Sequence, residues 1–514
     1  MSTPGSTPSK RQQGDGPEVV GAEAGSGARR AGGLAALGMG VRIVSQLMSL
    51  ALLLVAGRVL SVEAFGLFAL AVILINLAQQ LLYSGVYAFI LRQPDLAPYR
   101  GTALTLQGAI ALTFSLLITG VAALIWLIAP QSALGTLMLA TAPLPLIGVM
   151  GCWQEANVLR AGKVAPYYAS LLVSEVSGFA LGLFLLQSEA GVWSLIFSRY
   201  ATGVLFAVGL SLFAPKLPRP EMRAGPLREM LGFSLGLYGS SGLNFFTAYA
   251  ADVLIGAVLN TRAVGLYRMG ARTATAAYDI FAQTTRVLSW QVVGRNSRQG
   301  RVRNPVWLPM YALILCVIAT ALGTMAVLAE PLTAAILGPD WAEMVPVLQL
   351  IAGVRIVSAL DLVATAHFTA AGQSRLLLRL RLLEAGLLLA SVAALVWTGP
   401  LGVALALWPP ALIVGAVFLH LLTADTGVGG RQVLGELGPA LAIAAGAILA
   451  ALAVKHFVTA PSALLMVVQG SLAALGAFLV MALGVFRGWT MRTVRRLSQA
   501  LQHESEGIPV PPEA

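Results

Sequence analysis

The sequence predicts an all-α polytopic membrane protein with about fourteen transmembrane helices, and three observations predict it. Apolar residues come in blocks of roughly 20, long enough at 1.5 Å per residue to cross about 30 Å of hydrocarbon. Of 514 residues, 57% are hydrophobic and only 11% charged, too little charge to cover a soluble protein of this size. Basic residues gather in every second connection between the apolar blocks, as loops held on one side of a membrane require.

Residues 1–33 are Gly, Ser, Pro and charge with almost no large apolar side chain, and predict a disordered cytoplasmic tail. This segment is not a signal peptide: the first apolar block starts only after Arg30, exceeds the length of an h-region and lacks a convincing cleavage site. Helices follow at about 34–56, 64–89, 102–128, 135–158, 166–187, 192–214 and 229–258. Seven more are read at about 265–290, 305–329, 345–370, 376–398, 401–423, 437–457 and 462–486. The eighth is the least apolar and escapes detection by hydropathy alone. From Arg487 the chain turns basic, then polar, and closes on the Pro-rich run Pro509 to Ala514, so 487–514 reads as a second cytoplasmic tail.

Charge tests this layout. With the N-terminus inside, inner connections carry Arg92 and Arg100; Arg160 and Lys163; and Lys216, Arg219, Arg223 and Arg228. They also carry Arg295, Arg298, Arg301 and Arg303; Arg375, Arg379 and Arg381; and Arg431, whereas the outer side holds Arg58, Arg262, Arg268 and Lys455. An even number of spans puts both ends inside. Omitting the eighth helix would break the alternation, so 265–290 spans. The net charge of +11 is therefore topological and implies no nucleic acid. Cys152 and Cys316 fall inside apolar blocks without metal or redox spacing, and read as small core residues. The outer segment from Glu330 to Met344 is too short for a soluble catalytic domain.

Ionisable groups in a bilayer must face protein or water. On the eighth helix Arg268, Arg272, Asp279 and Arg286 lie at offsets that bring them within about 40° of one another, over about 27 Å of axis. Thr275 and Gln283 flank them. Ion pairs within the bundle account for one Arg and one Asp; a net-positive stripe fits a water-filled, anion-attracting cavity. Helix 1 matches it with Arg42, Gln46 and Ser49, and helix 2 with Asn76, Gln80, Tyr83 and Tyr87. Tyr238, Ser241, Phe245, Tyr249 and Asp252 share a face of helix 7. Helix 10 carries Arg355 and Asp361, about 120° apart. Candidate substrate contacts are thus Arg42, Gln46, Tyr238, Arg272, Gln283, Arg286 and Arg355. Candidate ion-coupling carboxylates are Glu155, Glu175, Asp252 and Asp279, although pairing with Arg199 is the plainer account of Glu155 and Glu175. No nucleotide loop, GxSxG elbow or HExxH is present, and His367, His420 and His456 lack ligand spacing. Neither an enzyme, a cofactor nor a metal is expected.

A weak internal repeat appears as Arg58-Val-Leu-Ser-Val-Glu-Ala-Phe-Gly66-Leu-Phe68 and Leu259-Asn-Thr-Arg-Ala-Val-Gly265-Leu-Tyr267. Each puts a short outer turn and a Gly-Leu-aromatic at the start of a helix, as six-helix transporter repeats do. The stretch from Gly57 to Ala71 resembles the helix 1–2 connection of bacterial polysaccharide flippases, the Wzx-like branch of the multidrug/oligosaccharidyl-lipid/polysaccharide exporter superfamily. Leu91-Arg-Gln-Pro-Asp-Leu96, Gly191-Val-Trp-Ser-Leu195 and Ile336-Leu-Gly-Pro-Asp-Trp341 resemble that branch too, and the resemblance runs from about residue 34 to 486. It implies two six-helix lobes, 34–214 and 229–423, around a central cavity, with two further helices in 437–486. It implies an inner-membrane flippase for an oligosaccharide repeat unit on undecaprenyl pyrophosphate, working by alternating access. A polysaccharide polymerase and a chain-length regulator are its implied partners, besides membrane lipid. Arg suits such a substrate because its fork of donors matches phosphate oxygens. The alternatives are a cation-coupled drug exporter of the same superfamily, a peptidoglycan-precursor flippase, and a sugar-lipid polymerase or ligase.

Overall fold

The computed structural model describes residues 18–298 and 306–502, and among these every regular element is a helix. The order is α1 (Glu18–Val59), α2 (Val62–Arg92), α3 (Arg100–Ile128), α4 (Ala133–Arg160), α5 (Val164–Gln187), α6 (Trp193–Ser211) and α7 (Ala224–Val258). Then come α8 (Thr261–Arg298), α9 (Trp307–Val327), α10 (Pro339–Ala370), α11 (Arg375–Thr398), α12 (Pro400–Thr426), α13 (Gly430–Phe457), α14 (Ala463–Val485) and α15 (Arg487–Gln502). Among the described residues, 13 helices are long and apolar enough to cross a membrane, starting with Gly40–Val59 of α1. The fourteenth, α8, is not one of the 13, yet it runs unbroken for 38 residues. Of its described ionisable groups, Arg262 binds Glu63 and Glu343 and Arg268 binds Asp252, and partners on other elements offset the cost of such groups in a bilayer.

Local chemistry sets the breaks. Pro143 and Pro145 divide α4 into Ala133–Thr141 and Leu144–Arg160, because proline cannot donate to the preceding turn. Between Leu82 and Gly85, α2 steps at Tyr83-Ser84, and Gly85 takes φ +28. Side chains of α2 and α4 pack on both sides of these breaks, so the helices remain single membrane crossings.

Two segments differ from the sequence expectation. The tail expected to run to residue 33 is helical from Glu18 onward, while residues 1–17 lie outside the described residues. Glu, Ala and Arg there are good helix formers, and a helix already nucleated by an apolar span extends without a new nucleation cost. The tail expected from 487 is also helical as far as Gln502; residues 503–514 lie outside the described residues. It folds because one of its faces finds protein to bury against, a contact no local pattern announces.

The core separates by position in the chain. One apolar cluster joins α1–α6 around Ala56, Phe68, Ile75, Ile118, Leu186 and Ile196. Another joins α8–α13 around Trp307, Leu322, Val363, Phe368 and Phe418. A third straddles the two sets, with Val62 and Phe65 against Ile255, Val264, Tyr267 and Trp341.

That junction is interlocked on the face opposite the chain ends. The Trp341 indole donates to the Gly57 carbonyl at 2.7 Å and sits edge-on to Phe65, with ring centroids 5.6 Å apart. Arg58 donates to the carbonyls of Ala335 and Ile336, each at 3.3 Å. Arg262 bridges Glu63 at 2.9 Å and Glu343 at 3.2 Å. The glycines of the internal repeat meet there: a Cβ on Gly66 would strike the Thr261 carbonyl, and one on Gly265 would strike that of Val62. Glycine is required at both places because two helix backbones touch.

On the face bearing the chain ends, called the basic face below, α7 leans on α2 and α3. Tyr238 accepts from the Val86 backbone N–H at 3.2 Å, Tyr99 donates to Glu229 at 2.6 Å, and Phe89 packs on Phe233. Arg160 donates to the carbonyls of Ile90, Gln93 and Pro94, capping the end of α2.

Candidate functional site

A cavity of about 550 Å³ lies inside the first six helices, walled by α1, α2, α4, α5 and α6. Its charged lining is two arginines, Arg42 and Arg199, and two carboxylates, Glu155 and Glu175, with Tyr83 and Tyr167 between them. Each has a structural origin. Arg42 comes from the first turns of the α1 span, and Glu155 from the buried face of α4 beyond its proline break. Glu175 and Arg199 come from α5 and α6, which pair closely through Gly178: its missing Cβ leaves room for Thr202, and its carbonyl accepts from Ser198 at 2.7 Å.

The pairing of Glu155, Glu175 and Arg199 that the sequence allowed is not what holds them. Among the described residues no ion pair within 4.0 Å joins these three. Glu155 instead accepts from the Tyr87 hydroxyl at 2.9 Å, and Arg199 donates to Asn76 Oδ1 at 3.3 Å while lying over the Phe68 ring. The four charged groups thus stand apart around a polar space, each oriented by a neutral neighbour.

A polar relay runs from this cavity into the second set of helices. Asn76, which receives Arg199, donates to the Tyr249 hydroxyl of α7 at 3.2 Å. Tyr249 stacks on Phe245 and lies under the Arg268 guanidinium, 4.5 Å from ring centroid to Arg268. Arg268 then binds buried Asp252 at 2.9 Å. Arg199 of α6 and Arg268 of α8 are thus joined through Asn76 of α2 and Tyr249 of α7.

The other expected site residues fall in separate places. Gln46, Arg272, Asp279 and Gln283 line a narrow crevice between α1 and α8, with room for about one water molecule. Arg42 and Gln46, one turn apart on α1, thus face different spaces. Arg355 donates to Thr275 of α8 at 3.1 Å and sits over Tyr278. Its Nε is buried with no partner among the described residues. Asp361 turns away from Arg355, as their azimuths require, and binds Arg381 at 2.6 Å; Arg381 also binds Glu384 at 2.8 Å. Arg381, assigned from sequence to an inner connection, is therefore an ion-pair member inside α11. Tyr238 joins α7 to α2 near the basic face, away from the cavity. The Arg286 side chain lies outside the described residues.

The sequence reading missed Arg199 as a cavity residue. Ser198 and Thr202, one residue before it and three after, gave the only signal, a small-polar face on an otherwise apolar helix. Tyr167 was missed for the same reason: a single tyrosine in a span has many ordinary explanations.

Fold and cavity together define an all-α, multi-pass membrane protein. The chain belongs to the polysaccharide biosynthesis protein family, whose model matches residues 55–346. It is 23% identical over 181 residues to the succinoglycan biosynthesis transport protein ExoT of Rhizobium meliloti (strain 1021). That match spans 35% of this chain and 37% of the relative's length. In fold it is similar to the lipid II flippase MurJ in an inward closed conformation, with a TM-score of 0.67 and 12% identity, covering 87% of this chain and 98% of that one. It is also similar to an inward-facing multidrug resistance transporter of the MATE family in the MOP superfamily, with a TM-score of 0.59 and 14% identity, covering 75% and 96%. At these identities the likeness is one of fold. The Wzx-like resemblance and the all-α fold of about fourteen spans accord with these matches.

Proposed function

We propose that the protein is a flippase that carries an undecaprenyl-pyrophosphate-linked oligosaccharide across the bacterial inner membrane by alternating access, with its basic face and both termini in the cytoplasm. The observation that carries this reading is the cavity with Arg42 and Arg199 in its lining and Arg268 reached from Arg199 through Asn76 and Tyr249. Guanidiniums lining a cavity in a low-dielectric interior attract an anion. A diphosphate is compact enough to sit there, and guanidinium forks match its oxygens. Arg272, Arg286 and Arg355, with Gln46, Gln283 and Tyr238, are the further substrate contacts of this reading. The sugar occupies the polar and aromatic space, and the prenyl tail stays in lipid.

Lobes 34–214 and 229–423 would rock about the junction, opening one face as the other closes. The glycine crossing and the Trp341–Gly57 bond make the outer seal in this state. Glu155 and Glu175 share the cavity with Arg42 and Arg199, so protonating either carboxylate leaves the lining more positive and strengthens anion binding. They are the preferred coupling groups. Asp252 is committed to Arg268, and Asp279 faces the narrow crevice. A polymerase and a chain-length regulator would act on the delivered units.

The family and the transport-protein relative favour this over a drug exporter or a catalytic role. The test is a deletion strain. Intact single repeat units trapped on the cytoplasmic leaflet, with surface polysaccharide lost, support the flippase. Single units that reach the outer face unpolymerised point to a polymerase, and an unchanged glycan defeats the proposal. In complementation, Arg272→Ala and Arg286→Ala should reach the membrane but fail to restore export; full export by both would remove the role assigned to them.

A further inference from the structure

The C-terminal helix α15 takes no part in the cavity, and its two faces are built for different surroundings. Trp489, Thr493 and Leu497, at i, i+4 and i+8, form the inner face. Trp489 and Thr493 are buried, and Leu497 packs on the α8–α13 cluster. The Trp489 indole donates to Glu436 at 2.8 Å, and Arg496 binds the other oxygen of the same carboxylate at 2.8 Å. Two contacts two turns apart on one acidic side chain fix the rotation of α15, which lies against α8, α9 and α13 on the basic face.

About 140° away, at 100° per residue, lie Met491 and Val494, 42% and 45% exposed. Arg487 lies between them in azimuth, one turn nearer the start of the helix, and Arg492 and Arg495 lie to one side; all three are exposed, and among the described residues none makes an ion pair. The sequence from Arg487 to Gln502 contains no Asp or Glu. Immediately upstream, α14 exposes Leu479, Val480, Leu483 and Val485, the lipid-facing belt of a spanning helix, so α15 begins where that belt ends. Exposed apolar side chains beside arginines, at the end of a span, are what the boundary between acyl chains and headgroups accommodates.

We propose that α15 is an in-plane helix that binds anionic phospholipid headgroups of the leaflet on the basic face, with Met491 and Val494 dipping into the acyl boundary and Arg487, Arg492 and Arg495 on the phosphates. The assignment stands on this helix alone and is independent of what the cavity carries. Each arginine at an anionic surface adds about fivefold in occupancy, so the three together make the contact strongly dependent on lipid charge and on salt.

The test uses the full chain in nanodiscs, with Val494→Cys carrying an environment-sensitive fluorophore; Cys152 and Cys316 are buried. In discs containing phosphatidylglycerol the probe should be several-fold less quenched by acrylamide than in discs of phosphatidylcholine alone, and high salt should restore quenching. Arg487→Gln/Arg492→Gln/Arg495→Gln should remove the difference while sparing Trp489 and Arg496, which dock the helix. Equal quenching of the unsubstituted face in both lipids overturns the proposal, whether the probe is water-exposed in both or shielded in both. Protection that appears only on adding a soluble protein fraction overturns it in favour of a protein partner.

Discussion

The Asp252–Arg268 pair and the Glu63–Arg262–Glu343 bridge contain the same chemistry in different surroundings, and the surroundings decide what each contributes. Asp252 is buried and Arg268 three-quarters so; neutralising one partner leaves a charge in low dielectric. Asp252→Asn should therefore lower stability by about 3 kcal/mol, measured as the denaturation midpoint of the purified protein in detergent. Arg262 and both its partners are substantially exposed, so Arg262→Gln should cost under about 1 kcal/mol in the same assay. Cavity carboxylates belong at this scale too. Binding of inorganic pyrophosphate to the purified protein should tighten as pH falls, since protons on Glu155 and Glu175 leave Arg42 and Arg199 less compensated. Glu155→Gln combined with Glu175→Gln should flatten that dependence, and an unaltered slope would detach these residues from coupling.

Among the helices, the crossing of α2 and α8 is the feature with the least tolerance. Backbone meets backbone at Gly66 and Gly265, so no rotamer change can absorb a branched side chain. Gly66→Val should force the outer ends apart. Val264, fully buried at this seam, then becomes a reporter: a cysteine there should react with a membrane-impermeant maleimide in the Gly66→Val background and stay unreactive without it. Trp341 seals the same seam by filling space and by bonding to Gly57. Trp341→Ala should cost about 3–5 kcal/mol in the detergent assay and show the same gain in Val264→Cys reactivity.

These elements show why some stretches were legible from sequence. Arg58 to Phe68 and Leu259 to Tyr267 stood out as a repeat and Ile336 to Trp341 as family wording, and all three prove to touch at one junction. The Leu91–Leu96 stretch stood out likewise, and its carbonyls receive Arg160. Such segments are constrained by close contact, which restricts residue type and leaves a readable pattern. The cavity wall imposes no such periodicity. Arg199 and Tyr167 need only point inward from apolar helices, and nothing in their neighbours records that they do.

For the whole molecule, alternating access requires that the seal opposite the basic face break in each cycle. With Glu63→Cys and Arg262→Cys tied by a short, reducible bifunctional thiol reagent, export should stop and resume on reduction. Export that continues with the tie intact would place the moving parts elsewhere. The structure is held at both faces, by the glycine crossing on one side and by Tyr238, Tyr99 and Phe233 on the other, so a substrate has to compete with existing contacts to open it.

By itself, the sequence determined that the chain is an all-α polytopic membrane protein of about fourteen helices and that the polar stretch 265–290 is one of its helices. Hydrocarbon thickness fixes the length of an apolar block, and loop charge must alternate, so both are written locally. It also determined that Arg355 and Asp361 part company, because helix geometry alone separates them. Only the tertiary structure decided which charges share a space. The α8 stripe divides among Asp252, the α1 crevice and Arg355's partner Thr275, while Arg42 and Arg199 join Glu155 and Glu175 from four different helices. A charge in a bilayer must find a partner or a cavity, but which of several neighbouring helices supplies it depends on packing that no single helix encodes.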